Sequence, residues 1–244
     1  MAIVAALLVA ISIVLPAKAA PPGEADAVAE WPSYGGDPGG SRYTLLDDIH
    51  AGNLSDLEVA WTYRTGDVAD GKGKFNGTSA FELTPLVVDG SLFACTPFNR
   101  VIALDPANGR ELWSFDPGIE LGRFFANMII NRGVAYWRDA AGTNGSCMRR
   151  VFLATLDARL IALDAATGRP CPDFGREGEV DLLAGLAPVD DSWEYNVTSP
   201  ATVVGDVVVV GSSIADTVRR VSPPGDVRAY DCLLYTSPSP RDCN

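Results

Sequence analysis

The sequence predicts an all-β protein, a β-propeller built of four-stranded antiparallel blades, of which about three are present. One strand-turn-strand grammar recurs three times, with its closing aspartates 59 and 67 residues apart. The chain also carries 24 glycines and 17 prolines, and no stretch repeats apolar residues at helical spacing for more than two turns. With 47% hydrophobic residues over 244 positions, it is too apolar to be disordered and long enough to bury a core.

The three copies read Val101-Ile102-Ala103-Leu104-Asp105 followed by Asn108-Gly109, Leu160-Ile161-Ala162-Leu163-Asp164 followed by Thr167-Gly168, and Val227-Arg228-Ala229-Tyr230-Asp231. An apolar strand precedes each of the first two, at Ser91–Ala94 and Val151–Ala154. An aromatic-bearing strand, Glu111-Leu112-Trp113-Ser114-Phe115, follows the first. The third copy is preceded by a valine-rich hairpin turning at Gly205-Asp206, a strong two-residue turn signal. A single meander leaves an apolar face bare, whereas meanders stacked around an axis cover one another. The tryptophans, including Trp61 in Val59-Ala60-Trp61-Thr62-Tyr63, and the repeat aspartates are expected to pack and cap blade turns rather than to catalyse.

The formal charge of −12 argues against nucleic acid and anionic membrane as partners, since both require clustered Lys and Arg. Ala2–Leu15 is an uncharged, apolar run, with Ser12 inside it, followed by Pro16 and Ala17-Lys18-Ala19. That order predicts a signal peptide over residues 1–19, cut after Ala19. The run falls short of the roughly 20 residues that span a bilayer, so export to a periplasmic or secreted location is expected. No Lys or Arg precedes the run, which leaves membrane anchoring through a longer N-terminus open. From Cys232 onward the text abandons strand patterning, resembles a translated sequencing adaptor, and is set aside as a non-native tail over 232–244. The blade-bearing region is then 20–231, and its third blade is left without a fourth strand.

Export places the five cysteines in an oxidising compartment. Cys147 and Cys171 flank one expected hairpin, and their bond would close a 24-residue separation. The spacing is compatible with a disulfide or with two free thiols.

Ordered blocks then point to a family. Trp31-Pro32-Ser33-Tyr34-Gly35-Gly36-Asp37, with Arg42-Tyr43, Asn53-Leu54 and Leu57–Trp61, resembles the opening signature of pyrroloquinoline-quinone (PQQ) dependent dehydrogenases. Asn131-Arg132-Gly133-Val134-Ala135-Tyr136-Trp137 resembles an element of the aldose (glucose-type) branch, as do the surroundings of Cys147 and Cys171, which supports that disulfide. Thr198-Ser199-Pro200 and Gly211-Ser212-Ser213-Ile214-Ala215-Asp216 resemble the strand and loop that approach the quinone and its metal. The resemblance covers residues 31–231 and implies an eight-bladed propeller, PQQ near its axis, and a Ca²⁺ or Mg²⁺ ion on the quinone. It also implies a sugar substrate and a membrane quinone as electron acceptor.

PQQ carries three carboxylates, and a planar guanidinium suits them. Arg132 is therefore the first candidate for cofactor binding, and Thr198 the second. A hard cation takes oxygen ligands, which points to Asp216, with Thr217 standing where the family often has asparagine. The aldose branch can carry a histidine upstream of the arginine, where this chain reads Asn127-Met128-Ile129-Ile130. His50 belongs to the first block and is expected in an exposed turn. No catalytic base is legible. Two adjacent cysteines, which mark the alcohol-oxidising branch, are absent from the sequence. The competing expectations are a PQQ alcohol or polyol dehydrogenase, or a propeller used as a binding scaffold without quinone.

Overall fold

The computed structural model describes residues 30–75, 77–140, 142, 146–186, 192–215 and 220–233. Among the described residues fifteen strands follow in order: β1 (Ser79–Phe81), β2 (Leu86–Val88), β3 (Ser91–Cys95), β4 (Val101–Leu104), β5 (Glu111–Phe115), β6 (Ile129–Asn131), β7 (Ala135–Arg138) and β8 (Arg149–Ala154). After them come β9 (Arg159–Asp164), β10 (Glu179–Asp181), β11 (Tyr195–Asn196), β12 (Thr202–Val204), β13 (Val207–Val210), β14 (Ser213–Ile214) and β15 (Arg228–Asp231). Among the described residues the helical turns are two short 3₁₀ segments, Leu54–Asp56 and Ser192–Glu194. Three antiparallel blades result: β2-β3-β4-β5, β7-β8-β9-β10 and the three-stranded β12-β13-β15. The Gly205-Asp206 turn joins Val204 to Val207 in register, with Gly205 at φ +58°.

Blade two shows why the repeats need one another. Along β8, Val151 and Leu153 join a cluster with Leu86, Phe93 and Val101 of blade one. The alternate residues Phe152 and Ala154 join a second cluster with Val197, Val208 and Tyr230 on the blade-three side. Strand β9 repeats the division, with Ile161 and Leu163 on one side and Leu160 and Ala162 on the other. Period-two side-chain geometry thus buries both faces of the middle blade. Strand β12, by contrast, has Thr202 and Val204 exposed.

Tryptophan and glycine lock the blades at their rims. Trp113 of β5 donates its indole N–H to the Ala165 carbonyl at 3.1 Å, inside blade two's Asp164–Gly168 turn. Trp61 makes the same bond to Pro106 of blade one at 3.0 Å. The aspartates cap those turns: Asp105 accepts from the Ala107 N–H at 3.0 Å, and Asp164 from the Thr167 N–H at 3.0 Å. Trp113→Phe, which keeps the ring and removes the donor, is expected to cost about 1 kcal/mol in denaturant unfolding, the worth of one net hydrogen bond.

The second unit departs from the first after its turn. In place of an aromatic strand, residues 169–178 form a loop anchored by the Cys147–Cys171 disulfide, whose Cα atoms are 5.7 Å apart. The short β10 then completes the blade. Arg150, fully buried, donates to the Cys147 carbonyl at 2.8 Å and pairs with Asp173. Removing the disulfide with Cys147→Ala/Cys171→Ala is expected to lower stability by about 3 kcal/mol, from the restored freedom of a loop of this size, read as a fall in the urea midpoint. Cys232 is fully buried and its N–H donates to the Asp206 carbonyl at 2.8 Å, while Leu233 packs against the second cluster.

Asp89, in the β2–β3 turn of blade one, receives hydrogen bonds from Tyr136 and Arg138 of blade two and faces Arg149 at 3.4 Å. Burial pushes its carboxyl up, but the hydrogen bonds from Tyr136 and Arg138 and the two arginine charges together outweigh that and hold it below the usual range. Burial and Asp89 push the Tyr136 phenol up to about 12. For a depressed carboxyl the stabilisation is full above its unfolded pKa of about 3.9 and is lost as pH falls through the folded value. Stability measured from pH 5 down to pH 2 should therefore fall less steeply in Asp89→Asn than in the parent.

Candidate cofactor site

Each blade is approached by a lead-in segment ending one or two residues before its first strand: Glu82-Leu83-Thr84-Pro85, Asn131-Arg132-Gly133 and Thr198-Ser199-Pro200. Backbone hydrogen bonds tie them side by side. The Thr84 N–H donates to the Arg132 carbonyl at 3.3 Å, and the Arg132 N–H to the Thr198 carbonyl at 3.0 Å. Upstream, β1 and β6 run parallel, pairing Phe81 with Asn131, and β7 packs against β12. The lead-ins therefore mark the inner ends of the blades, where a closed ring has its axis.

Side chains converge there. Arg132 Nη1 donates to Thr198 Oγ1 at 3.1 Å, and its Nε lies 3.2 Å from Glu82 Oε2. Thr198 is buried, while the Arg132 side chain keeps 41% of its exposure. A guanidinium has five N–H donors in a fixed fork. With the ion pair and the threonine engaging one face, the head is aimed and still reachable. Gly133, at φ +140°, sits against the Thr84 carbonyl, which a Cβ would approach to 3.3 Å. Asn131 fixes this bend: fully buried, it donates to the Ala154 carbonyl at 2.9 Å and accepts from the Gly133 N–H at 3.0 Å.

A second polar group is carried by residues a few positions before Arg132 and Thr198 in the chain. Asn127 Nδ2 reaches Asn196 Oδ1 at 3.3 Å and Ser213 Oγ at 3.0 Å. Asn196 is wholly buried and donates to the Leu156 carbonyl at 2.8 Å. Asn196 opens a glycosylation-type triplet with Val197 and Thr198, yet its amide is spent inside the fold. His50 is exposed in a turn, accepting the Gly52 N–H on Nδ1 at 3.1 Å, and takes no part.

Of the residues singled out in the sequence, Arg132 and Thr198 are brought together. Asp216 and Thr217 lie outside the described residues. Glu82, Asn127, Asn196 and Ser213 were not selected from the sequence as site residues. Glu82 could have been found by aligning the three lead-ins, since Thr84-Pro85 stands before its hairpin as Ser199-Pro200 stands before the third.

The family model for the PQQ glucose/ethanol/alcohol dehydrogenase β-propeller domain matches residues 31–233. The chain belongs to that family. It is 37% identical over 218 residues to quinoprotein glucose dehydrogenase A of Acinetobacter calcoaceticus, covering 84% of this chain and 27% of that protein. It is 40% identical over 219 residues to the quinate/shikimate dehydrogenase (quinone) of Acinetobacter baylyi, covering 83% and 26%. Among solved structures, the quinohemoprotein alcohol dehydrogenase of Comamonas testosteroni superposes with a TM-score of 0.65 at 30% identity, covering 86% of this chain and 26% of that one. The chain thus spans about a quarter of the length of the curated relatives it matches.

The residues at this end of the blades fit the family's cofactor. A guanidinium with donors to spare and a threonine hydroxyl are what a tricarboxylate quinone would need from its host.

Proposed function

We propose that this chain is the N-terminal part of an exported dehydrogenase, dependent on PQQ and a divalent ion, that oxidises an aldose sugar such as glucose and passes the electrons to a membrane quinone. The observation that carries the reading is Arg132, aimed by Glu82 and Thr198 at the inner end of adjacent blades. In this proposal Arg132 grips a cofactor carboxylate, Thr198 holds Arg132 and offers its hydroxyl, and the Asn127–Asn196–Ser213 group orients the polar wall beside them. Asp216, with Thr217, supplies oxygen ligands to Ca²⁺ or Mg²⁺. The chemistry that bound PQQ supplies is two-electron acceptance at an ortho-quinone, assisted by an ion that polarises the carbonyl. Residues 1–19 are proposed to direct export and residues 232–244 to be foreign to the natural chain. Among the described residues no helix is long and apolar enough to cross a membrane.

A cyclic polyhydroxy acid is the second reading for the substrate. It is favoured by the 40% identity to the quinate/shikimate enzyme and by Asn127-Met128-Ile129-Ile130 in place of the histidine-bearing segment. The test begins with the full open reading frame, followed by dye reduction by the PQQ- and Ca²⁺-loaded protein with glucose, quinate and glycerol. Preference for glucose upholds the aldose reading, and preference for quinate replaces it. No PQQ-dependent turnover with any of them would sink both. Residues 20–231 alone are expected to be inactive and prone to aggregate through their open strand edges.

A further inference from the structure

Two chain segments that end on Arg132 and Thr198 run side by side. The Ala126 N–H donates to the Trp193 carbonyl at 3.3 Å, the Asn127 amide reaches that of Asn196, and the Arg132 N–H donates to the Thr198 carbonyl at 3.0 Å. The segments are thus tied at three levels, with the candidate cofactor residues at one end. At the other end the rings of Phe124 and Trp193 meet edge to face, their centroids 5.2 Å apart and their planes at 70°. Since Trp193 precedes Thr198 by five residues, its backbone lies at most about 18 Å from that of Thr198.

Neither ring is needed to hold its own segment. Phe125, beside Phe124, is buried with Ala69, Ile129 and Leu156, so that loop already has its aromatic anchor, and Phe124 remains 53% exposed. Trp193 stands on the 3₁₀ turn Ser192–Glu194, which is held by the Ala215 N–H donating to the Glu194 carbonyl at 2.8 Å. The next residue, Tyr195, is fully buried and pairs with Ile214 of β14. The turn is therefore fixed, and its tryptophan stays half-buried. Met128, 48% exposed, adds a third apolar side chain to the same stretch. Large apolar groups held in place and left in water together mark a binding surface.

The chemistry of the pair selects its ligand. The rings are apolar and uncharged, and their faces are weakly negative. A saturated ring bearing hydroxyls around its edge offers the complement, a face of weakly positive C–H bonds that sheds water on contact. A short open-chain alcohol such as glycerol has no such face. We propose that Phe124 and Trp193 form an aromatic wall of the substrate site, which packs against the C–H face of a ring-shaped polyhydroxy substrate and selects it over small open-chain alcohols. The inference rests on the reading of the chain as part of a PQQ-dependent dehydrogenase, and it holds for an aldose or a cyclic acid alike. Trp193, on the fixed turn, is the specificity-determining member, and Phe124 sets the angle of its ring.

Steady-state kinetics of the full-length, PQQ- and Ca²⁺-loaded protein with glucose and quinate test this. Trp193→Ala should raise KM for the ring that is oxidised about 10-fold with little change in kcat, because the contact is made alike in the ground and transition states. Trp193→Phe should restore most of the loss, and Phe124→Ala should reproduce part of it. PQQ affinity, read from the absorbance of the bound cofactor, should stay at the parent value. An unchanged KM in Trp193→Ala would overturn the wall and leave the substrate reading standing. A rise in KM matched by an equal loss of PQQ affinity would also overturn it, since that marks a brace for the cofactor site. Quinate oxidised in place of glucose, with the same rise in KM, would uphold the wall and replace the aldose reading. A full-length protein that oxidises neither ring would sink the substrate reading and the wall together.

Discussion

Gly168→Ala should destabilise the protein by about 3 kcal/mol, whereas Gly205→Ala should cost only about 1 kcal/mol. Both glycines hold a left-handed backbone, at φ +69° and +58°, and a Cβ in that region costs about 1–2 kcal/mol wherever it occurs. They differ in what the methyl meets. At Gly168 it would stand 2.4 Å from Trp113 Cε3 and 2.6 Å from Cδ2, while at Gly205 nothing lies within 4 Å. The indole cannot retreat without losing its bond to the Ala165 carbonyl, so overpacking adds about 1–3 kcal/mol. Urea midpoints at constant m-value would give both figures. Equal losses would mean that the tryptophan moves freely and does not lock the rim.

Arg132→Ala is expected to weaken PQQ binding by the full-length protein about 10- to 100-fold, the worth of one charge-assisted hydrogen bond to a carboxylate. Arg132→Lys should recover only part of this, because an ammonium keeps the charge and loses the fork. Titration of the apoprotein with PQQ, followed by quenching of tryptophan fluorescence, reads the affinity directly. Circular dichroism of the variants would separate site loss from unfolding. An unchanged affinity in Arg132→Ala would remove Arg132 from the cofactor site and leave its bonds to Glu82 and Thr198 a purely structural tie.

Much of the fold is local in origin and was legible. The Gly205-Asp206 hairpin, the Asp105 and Asp164 turn caps and the aromatic strand at Trp113 involve residues close in sequence, where turn chemistry and period-two patterning act directly. The loop after Gly168 was less so. Its path depends on the Cys147–Cys171 link, and spacing alone was equally compatible with free thiols. At the site, the lead-in motif marked Arg132 and Thr198. The motif did not reveal that Glu82 would share Arg132, because that pairing joins residues 50 positions apart.

The sequence by itself determined the repeat, the strand order within each blade, and the tryptophan, aspartate and glycine that each turn requires, because all of these follow from short-range sterics and side-chain periodicity. The tertiary structure alone decided which faces of neighbouring blades meet, why blade two is buried on both sides, and how three separate lead-ins bring Glu82, Arg132 and Thr198 into one cluster. Radial stacking sets those contacts, since each blade can cover its apolar face only against the next.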